Sequence, residues 1–163
     1  MKIDVIIPVY RPTEKLHKVL YGLSRQTYLP EQIILLHTRD GIKLDVSACK
    51  DRVSVTEIPI PEKEFDHGRT RDLGIRMSDA DIVVMMTQDA VPADLFLLEK
   101  LSEALKEHPD AVAAYARQIP DQNCGLLEKY TRVFNYPPKS QIKSQKDLPK
   151  LGIKTYFCSN GTF

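Results

Sequence analysis

The amino-acid sequence predicts an α/β fold in which a mostly parallel, twisted sheet is flanked by helices. The principal observation is that short apolar runs alternate with segments of helical periodicity along the first 116 residues, which is typical of repeated βαβ units. Three of these runs are apolar almost throughout, as expected for parallel strands that are buried on both faces. The sequence contains no internal repeat or low-complexity tract, so the pattern favours an α/β domain over a repeat architecture.

The strands can be placed from the hydrophobic runs and from the turn residues that end them. The segment 53–58 alternates between apolar and polar residues, as a half-buried strand does, and we expect it to end before Pro59. The segment 81–87 is expected to be a strongly buried strand. The predicted strands are residues 3–9, 32–37, 53–58, 81–87 and 111–115.

Four helices are predicted, three of them from apolar residues at helical spacing. The first opens at Pro12–Thr13, and the second is expected from about Thr70 to Met77. The third is expected to open at Pro92–Asp94, where proline and aspartate are typical of a helix start. The fourth covers residues 126–134 and is ended by a pair of prolines.

Length and composition are those of an ordinary globular chain. Of the 163 residues, 42% are hydrophobic and 28% are charged, and no apolar run approaches the roughly 18 residues that a membrane span needs. The three cysteines, Cys49, Cys124 and Cys158, have no metal-ligand spacing and are interpreted as reduced thiols. Because Met1 runs directly into the first strand, we expect no signal peptide and a cytoplasmic protein.

The distribution of charge divides the chain at about residue 116. Residues 129–163 contain seven lysines and arginines but only one acidic residue, Asp147, although the net charge of the chain is +1. We therefore expect an α/β domain, residues 1–116, and a basic extension, residues 117–163. The extension is either a solvated segment or a surface for peripheral contact with the inner face of a membrane or with a phosphate-bearing acceptor. We expect no nucleic-acid partner.

Polar residues cluster in three loops at the predicted carboxyl ends of strands. These loops are Pro8–Tyr10, His37–Asp40 and Thr87–Ala90, and a further loop, Asp66–Asp72, opens a helix. Ligands of open parallel sheets bind at this edge, near the point where the strand order reverses. The glycine-rich loops of dinucleotide enzymes and P-loop NTPases are absent from the sequence, which argues against both classes.

Asp89 is the most informative single residue of these loops. It follows a buried strand at the edge where ligands bind, and its carboxylate suits Mg²⁺ or Mn²⁺, hard ions that take oxygen ligands and retain waters and substrate phosphates. The alternative is that Asp89 caps the helix that opens near Pro92, by accepting hydrogen bonds from its first N–H groups. The spacing alone does not decide between these two roles.

Three segments, taken in order, resemble those of family 2 glycosyltransferases and are most similar to the bacterial rhamnosyltransferase-like branch. They are residues 4–10 (DVIIPVY), 65–75 (FDHGRTRDLGI) and 87–92 (TQDAVP). The resemblance covers residues 3–100, and Ser159–Gly161 is similar to the family's entry into its acceptor half. The order and compatible spacing of the three segments make the resemblance fairly specific.

The resemblance implies a GT-A fold that binds a UDP- or dTDP-sugar with Mg²⁺ or Mn²⁺ and transfers the sugar, with inversion, to a glycan or lipid-linked acceptor. Pro8 and Tyr10 match residues that border the base and ribose, and Arg71 matches an arginine that faces the nucleotide. Asp89 matches the second acid of an Asp-x-Asp metal motif. The full set of candidate nucleotide-sugar residues is Pro8, Val9, Tyr10, Thr38, Asp40, Arg71, Gln88 and Asp89.

The sequence departs from the family's pattern at three places. Thr87 stands where the first acid of the metal motif usually lies, which puts the strength of metal binding in doubt. His37–Thr38 replaces an acidic pair after the second strand, which puts base recognition there in doubt, and Asp72 replaces an asparagine. These differences indicate either a donor other than UDP or a Thr-Gln-Asp-Ala variant of the branch.

Some candidate residues also have structural interpretations. Tyr10 lies either beside the ligand or packed on the first helix. Arg71 either faces the nucleotide or pairs on the helix surface with Asp66 or Asp72, an interaction of little energetic worth. Gly74 is expected to allow close packing of its helix on the sheet.

Two functions remain open: the donor-binding part of an inverting glycosyltransferase, and a nucleotide-sugar-binding module without turnover. A sugar-phosphate nucleotidyltransferase is disfavoured, because residues 9–12 contain no glycine. Residues 156–163 resemble an element that has just begun, so we expect a chain truncated at its C-terminal end. Because the family's catalytic base belongs to an acidic motif beyond Ser159–Gly161, we expect this chain to bind donor without transferring sugar.

Overall fold

The computed structural model describes residues 1–155 and confirms the α/β fold. The strands are β1 Ile3–Val9, β2 Gln32–Thr38, β3 Ser54–Ile60 and β4 Ile82–Met85. The helices are α1 Glu14–Leu23, α2 His67–Arg76, α3 Leu97–Glu107, α4 Leu126–Asn135 and the short α5 Leu148–Leu151. Short 3₁₀ turns lie at Ser47–Cys49, Glu62–Glu64, Gln145–Asp147 and Gly152–Thr155.

Within the described part of the chain, the sheet has the strand order β3-β2-β1-β4 and every pairing is parallel. Asp4 of β1 pairs with Gln32 of β2 on one side and with Val83 of β4 on the other. The chain therefore moves outward from β1 to β3 and then returns to place β4 beside β1. This reversal creates a switch point between the carboxyl ends of β1 and β4, where open α/β sheets bind their ligands.

The two faces of the sheet are covered differently. One face packs against α1 and α3 through a large apolar cluster that includes Leu20 and Leu98. The other face has a smaller cluster around Ile6 and Leu36. A Cβ on Gly74 of α2 would lie 2.7 Å from Ile6 Cγ2 and 3.0 Å from Leu36 Cδ1, so α2 can approach this closely only because residue 74 is glycine. The predicted close contact between helix and sheet is confirmed.

The centre of the sheet matches the predicted strands, whereas the edges differ from them. Residues 111–115 form no strand, and the fully exposed Val112 shows that this apolar run does not pack into the core. β4 is shorter than the predicted strand 81–87 and only partly buried, and within residues 1–155 it lies at the edge of the sheet. β3 continues through Pro59, which an edge strand tolerates because one side of its backbone is unpaired.

Two helices begin at positions other than those predicted. α2 begins at His67 rather than at about Thr70, where a side-chain cap described below fixes its start. α3 begins at Leu97 rather than at Pro92–Asp94. The Asp94 carboxylate accepts a backbone N–H at 2.8 Å and so holds a turn ahead of the helix instead of opening it.

Residues 108–155 pack less closely than the α/β part. α4 matches the predicted helix 126–134, yet it turns apolar side chains to solvent, with Leu126 and Leu127 88% and 80% exposed. Among the helices of residues 1–155, none is both long and apolar enough to cross a membrane. The division at residue 116 and the membrane contact of the basic extension stay predictions. The element predicted at 156–163, with Cys158 and Ser159–Gly161, lies outside the described residues.

Candidate functional site

The two strands at the switch point are joined by the side-chain amide of Gln88. The Tyr10 N–H donates to Gln88 Oε1 at 2.9 Å, and Gln88 Nε2 donates to the Tyr10 carbonyl, also at 2.9 Å. Tyr10 follows β1, and Gln88 lies three residues beyond the end of β4 at Met85. The amide therefore continues the pairing of these strands after their backbones have separated.

Asp40 holds the same loop from the β2 side. Its Oδ2 accepts the N–H of Arg11 at 2.7 Å, and its Oδ1 accepts the N–H of Ile42 at 2.8 Å. Arg11 has a φ of 44°, a left-handed conformation that is unfavourable for a residue with a side chain. The bond from Asp40 stabilises that conformation. The Asp40 side chain is only 4% exposed, so both of its oxygens are used within the protein.

His37 completes this arrangement, although the sequence showed it only as a departure from the family's pattern. The ring is 6% exposed, with Nε2 3.1 Å from Asp40 Oδ1 and Nδ1 2.8 Å from Glu57 Oε1. Burial opposes ionisation of Asp40, but the N–H groups of Ile42 and Arg11 and the His37 ring outweigh it and lower the pKa of Asp40. The available sequence signal was a histidine near the end of a buried strand, three residues before an aspartate.

The side chain of Tyr10 lies at the same edge and is 36% exposed. Its hydroxyl donates to Glu62 Oε1 at 2.8 Å, and the Arg11 guanidinium lies 5.0 Å from the ring centroid. The hydrogen bond to Glu62, together with desolvation, raises the pKa of Tyr10, so the residue is a neutral phenol at physiological pH. These contacts are with loop residues and not with the apolar face of α1.

The other predicted residues at the strand ends offer different groups to a ligand. Val9 is fully buried in the apolar core, so only its backbone could face a ligand, and Pro8 is partly buried. Thr38 is 2% exposed, and its Oγ1 has no hydrogen-bond partner among residues 1–155. A buried hydroxyl without a partner is costly, so Thr38 is suited to receive a polar ligand group.

The first turn of α2 lies at this edge because β3 ends here. Asp66 caps the helix by accepting two N–H groups of that turn, at 2.8 and 3.0 Å. Arg71 is partly buried, and its Nη1 donates to the His67 carbonyl at 2.9 Å. Asp72 pairs with Arg76 at 2.8 Å. The predicted alternative partners of Arg71 are thus engaged elsewhere.

Asp89 is exposed and follows Gln88 directly. Toward residues 1–155 its carboxylate makes no hydrogen bond or ion pair. The helix-cap interpretation is wrong, because α3 begins at Leu97 and the residue before it is Phe96. The described residues contain no group of three or more acidic, histidine or cysteine side chains that could hold a metal. Among the candidate residues, Asp89 is the one whose exposed carboxylate is free to bind a metal from within residues 1–155.

Of the eight predicted residues, the structure joins Tyr10, Asp40 and Gln88 into one hydrogen-bonded unit through Arg11. Asp89 is the next residue along the chain. The arrangement can order a loop at the switch point and present an aromatic ring, a buried hydroxyl and an exposed carboxylate beside it.

Comparison with known proteins identifies the family to which the chain is similar. Residues 4–161 match the model of the family described as Glycosyl transferase family 2. The chain is 36% identical over 162 residues to the O-antigen chain rhamnosyltransferase RfbN of Salmonella typhimurium, with 98% of this chain and 51% of the relative covered. It is 31% identical over 160 residues to the O-antigen chain rhamnosyltransferase WbaN of Salmonella anatum, with 96% and 49% covered. The chain spans about half the length of these curated relatives.

Solved structures support the same fold. The structure of S. aureus TarS superposes with a TM-score of 0.53 at 16% identity, covering 74% of this chain and 23% of that one. S. aureus TarS 1-349 in complex with UDP-GlcNAc superposes with a TM-score of 0.52 at 17% identity, covering 67% and 32%. At this identity the likeness concerns the fold alone, and it confirms the expected GT-A-type architecture.

Proposed function

The chain belongs to glycosyltransferase family 2, and on that premise we propose that it binds a UDP- or dTDP-sugar at the β1–β4 switch point, with Mg²⁺ or Mn²⁺ held by Asp89. The observation on which the proposal rests is the position of Asp89. Its exposed carboxylate follows Gln88, whose amide ties the ends of the two strands together. Ligands of open α/β sheets lie at this point.

The oxygen ligands at this edge suit a divalent ion that is shared with the substrate. Mg²⁺ usually takes one or two protein carboxylates and completes its octahedron with waters and substrate phosphates, and Asp89 supplies one such carboxylate. When bound, the ion would act as a Lewis acid that stabilises the negative charge of the departing diphosphate. The role of the protein would be to hold Asp89 beside the ordered loop that contains Tyr10.

Three of the other candidate residues, Tyr10, Thr38 and Arg71, would bind and orient the nucleotide. The partly exposed Tyr10 ring offers an apolar surface to the base, and the buried Thr38 hydroxyl and the Arg71 guanidinium offer hydrogen bonds to polar groups. Because the relatives are O-antigen chain rhamnosyltransferases, we propose that the whole protein transfers a sugar, with inversion, to a glycan or lipid-linked acceptor. The UDP-GlcNAc in one structural neighbour supports a nucleoside-diphosphate sugar as the ligand class.

A second candidate function is a nucleotide-sugar-binding module without turnover. It is favoured by Thr87, which stands where the family usually has an acid. Nucleotide binding that is equally tight with and without a divalent ion, and no transfer by the whole protein, would favour this function.

Calorimetric titration of UDP and dTDP, in Mn²⁺ and in EDTA, tests the proposal. We expect binding to weaken about tenfold or more in EDTA, which corresponds to roughly 1.4 kcal/mol. The variant Asp89→Ala should show the weaker affinity in both buffers. Asp79→Ala is the matched control, because Asp79 is an exposed aspartate before β4 at the opposite edge of the sheet. Equal affinity of the wild-type protein in the two buffers would contradict the metal assignment.

A further inference from the structure

Asp40 and Gln88, two of the residues predicted at the nucleotide site, use their side-chain polar atoms in hydrogen bonds to the protein backbone. We propose that both are positioning residues, which fix the Tyr10–Arg11 junction and act on the nucleotide only through it. The inference rests on the proposed function, since it assumes that a nucleotide binds at this edge. It reassigns Asp40 and Gln88 from ligand contact to support of the loop at the β1–β4 switch point, which is called the crevice below because open α/β sheets bind their ligands there.

The hydrogen-bonding capacity of Asp40 is taken up from three directions. Oδ2 accepts from Arg11, and Oδ1 accepts from Ile42 and faces His37 Nε2. The side chain is 4% exposed and both of its oxygens have protein partners, so a nucleotide could bond to the carboxylate only by displacing one of them. The His37 ring also forms a hydrogen bond with Glu57 of the outer strand β3, which connects the Tyr10–Arg11 junction to that strand.

Gln88 bonds to the backbone of Tyr10, the residue before Arg11, from the β4 side. Its carbonyl accepts the Tyr10 N–H and its amide donates to the Tyr10 carbonyl. Turning this amide toward a nucleotide would leave both Tyr10 backbone groups without their partner. The two side chains thus hold successive residues from opposite sides of β1.

The backbone of the Tyr10–Arg11 junction needs support because Arg11 adopts a left-handed conformation. This conformation costs roughly 1–2 kcal/mol for a residue with a side chain. Without the bond to Asp40, relaxation of Arg11 to negative φ would redirect the chain just after Tyr10. The Tyr10 ring and its neighbours at the switch point would then lose their present orientation. Support of this kind is how rigid surroundings keep binding groups within the tolerance that a site requires.

Isosteric substitutions separate positioning from contact. Asp40→Asn keeps the shape but leaves one acceptor oxygen for two backbone N–H groups, those of Arg11 and Ile42. Gln88→Glu keeps the acceptor for the Tyr10 N–H but cannot donate to the Tyr10 carbonyl. In the nucleotide-free protein we expect the exchange of the amide hydrogens of Tyr10 and Arg11, followed by NMR, to quicken about tenfold. Affinity for UDP or dTDP with Mn²⁺ should fall by a similar factor.

Each variant has a matched control. Asp45→Asn makes the same change at an aspartate that also accepts the N–H of the residue two positions on, Ser47 at 3.0 Å, outside the crevice. Gln26→Glu makes the same change at a glutamine that also bonds to backbone, near the opposite edge of the sheet. Both controls should leave exchange at Arg11 and nucleotide affinity unchanged, even where Gln26→Glu lowers the melting temperature.

The outcomes are distinct. Weaker affinity with unchanged exchange at Tyr10 and Arg11 would mean that Asp40 and Gln88 touch the nucleotide, which overturns the inference. Faster exchange with unchanged affinity would also overturn it, because the junction would then not shape the site. A wild-type protein that binds neither nucleotide refutes the proposed function instead, and the exchange rates of the free variants still report whether the two side chains hold the junction.

Discussion

Gln26 and Gln88 both bond to backbone groups through their side-chain amides, but they lie at opposite ends of the strands and order different parts of the molecule. Gln26 lies between α1 and β2 and is 3% exposed. Its Nε2 donates to the carbonyls of Gly22 and Asp94 at 3.1 and 2.9 Å, and its Oε1 accepts the N–H of Leu98 at 3.1 Å. One side chain therefore fastens the end of α1 to the start of α3.

Gln88 fastens a single residue, Tyr10, and lies partly open beside the exposed Asp89. The difference is in what surrounds the amide. At the amino ends of the strands the amide joins α1 to α3, two helices that pack on the sheet, so it stabilises the fold. At the carboxyl ends the bonded groups belong to a loop, so the amide orders a surface that a ligand can meet. Substitutions at the two ends should accordingly separate stability from binding.

The largest effect is expected from Gln26→Ala. The carbonyl of Asp94 and the N–H of Leu98 would lose the bond to Gln26. The carbonyl of Gly22 would also lose its bond to Gln26 but would keep the N–H of Arg25. Each unsatisfied buried group costs roughly 1–3 kcal/mol unless water reaches it. We expect a loss of about 3 kcal/mol in the free energy of unfolding, measured by urea denaturation. Nucleotide affinity at a temperature where the variant is folded should be unchanged. A matching loss of affinity would show that the two ends are not independent.

A smaller effect is expected from Thr87→Asp at the carboxyl end. A second carboxylate before Gln88 adds negative charge near Asp89, and ligand charge is a main determinant of affinity for hard cations. We expect Mn²⁺ to bind several-fold to about tenfold more tightly, as measured by electron paramagnetic resonance of free Mn²⁺. An unchanged affinity would mean that residue 87 does not face the ion. Thr56→Asp, on the edge strand β3, controls for added charge alone.

The smallest effect concerns pH and the cap of α2. The N–H of Arg69 lowers the pKa of Asp66, against opposing desolvation and with help from the N–H of Gly68. A lowered pKa means that Asp66 contributes stability above the unfolded carboxyl pKa of about 3.9, and that this contribution is lost as the pH falls through the folded value. Asp66→Ala should lower the melting temperature by a few degrees at pH 7.

The contribution of Asp66 to stability should decrease as the pH is lowered. The difference in melting temperature between wild-type protein and Asp66→Ala should shrink steadily below about pH 4. A difference that is constant from pH 7 to pH 3 would show that the ionised carboxylate is not what caps the helix. Asp79→Ala, at an exposed aspartate without a cap, should show little difference at any pH.

Where burial alone decides structure, the sequence was sufficient. β1 and β2 were predicted within one residue because both are apolar runs at the centre of the sheet. The run at 111–115 is also apolar but lies outside the core, and apolar character alone does not tell where a run will pack. Pro59 was taken to end β3, although at an edge the missing N–H has no partner to lose.

For the candidate site, the sequence predicted the positions of the residues better than their contacts. Tyr10, Asp40, Gln88 and Asp89 follow strands, so their common edge follows from the parallel topology. The bonds from Asp40 to Arg11 and from Gln88 to Tyr10 depend on backbone geometry between distant segments, which residue types do not encode singly. His37 was visible in the sequence only as an unexpected residue, and its two carboxylate partners became apparent in three dimensions.

The strand order has a consequence for how the chain folds. β1 meets β2 after a short excursion, with Asp4 opposite Gln32, but it meets β4 only after most of the α/β part has intervened, with Ile3 opposite Ile82. Longer loops cost more entropy to close, and such non-local pairing is slow to form. We therefore expect β4 to dock after β1, β2 and β3 have assembled. The crevice between β1 and β4 would then be the last part of the sheet to appear during refolding, and nucleotide could speed only that final step.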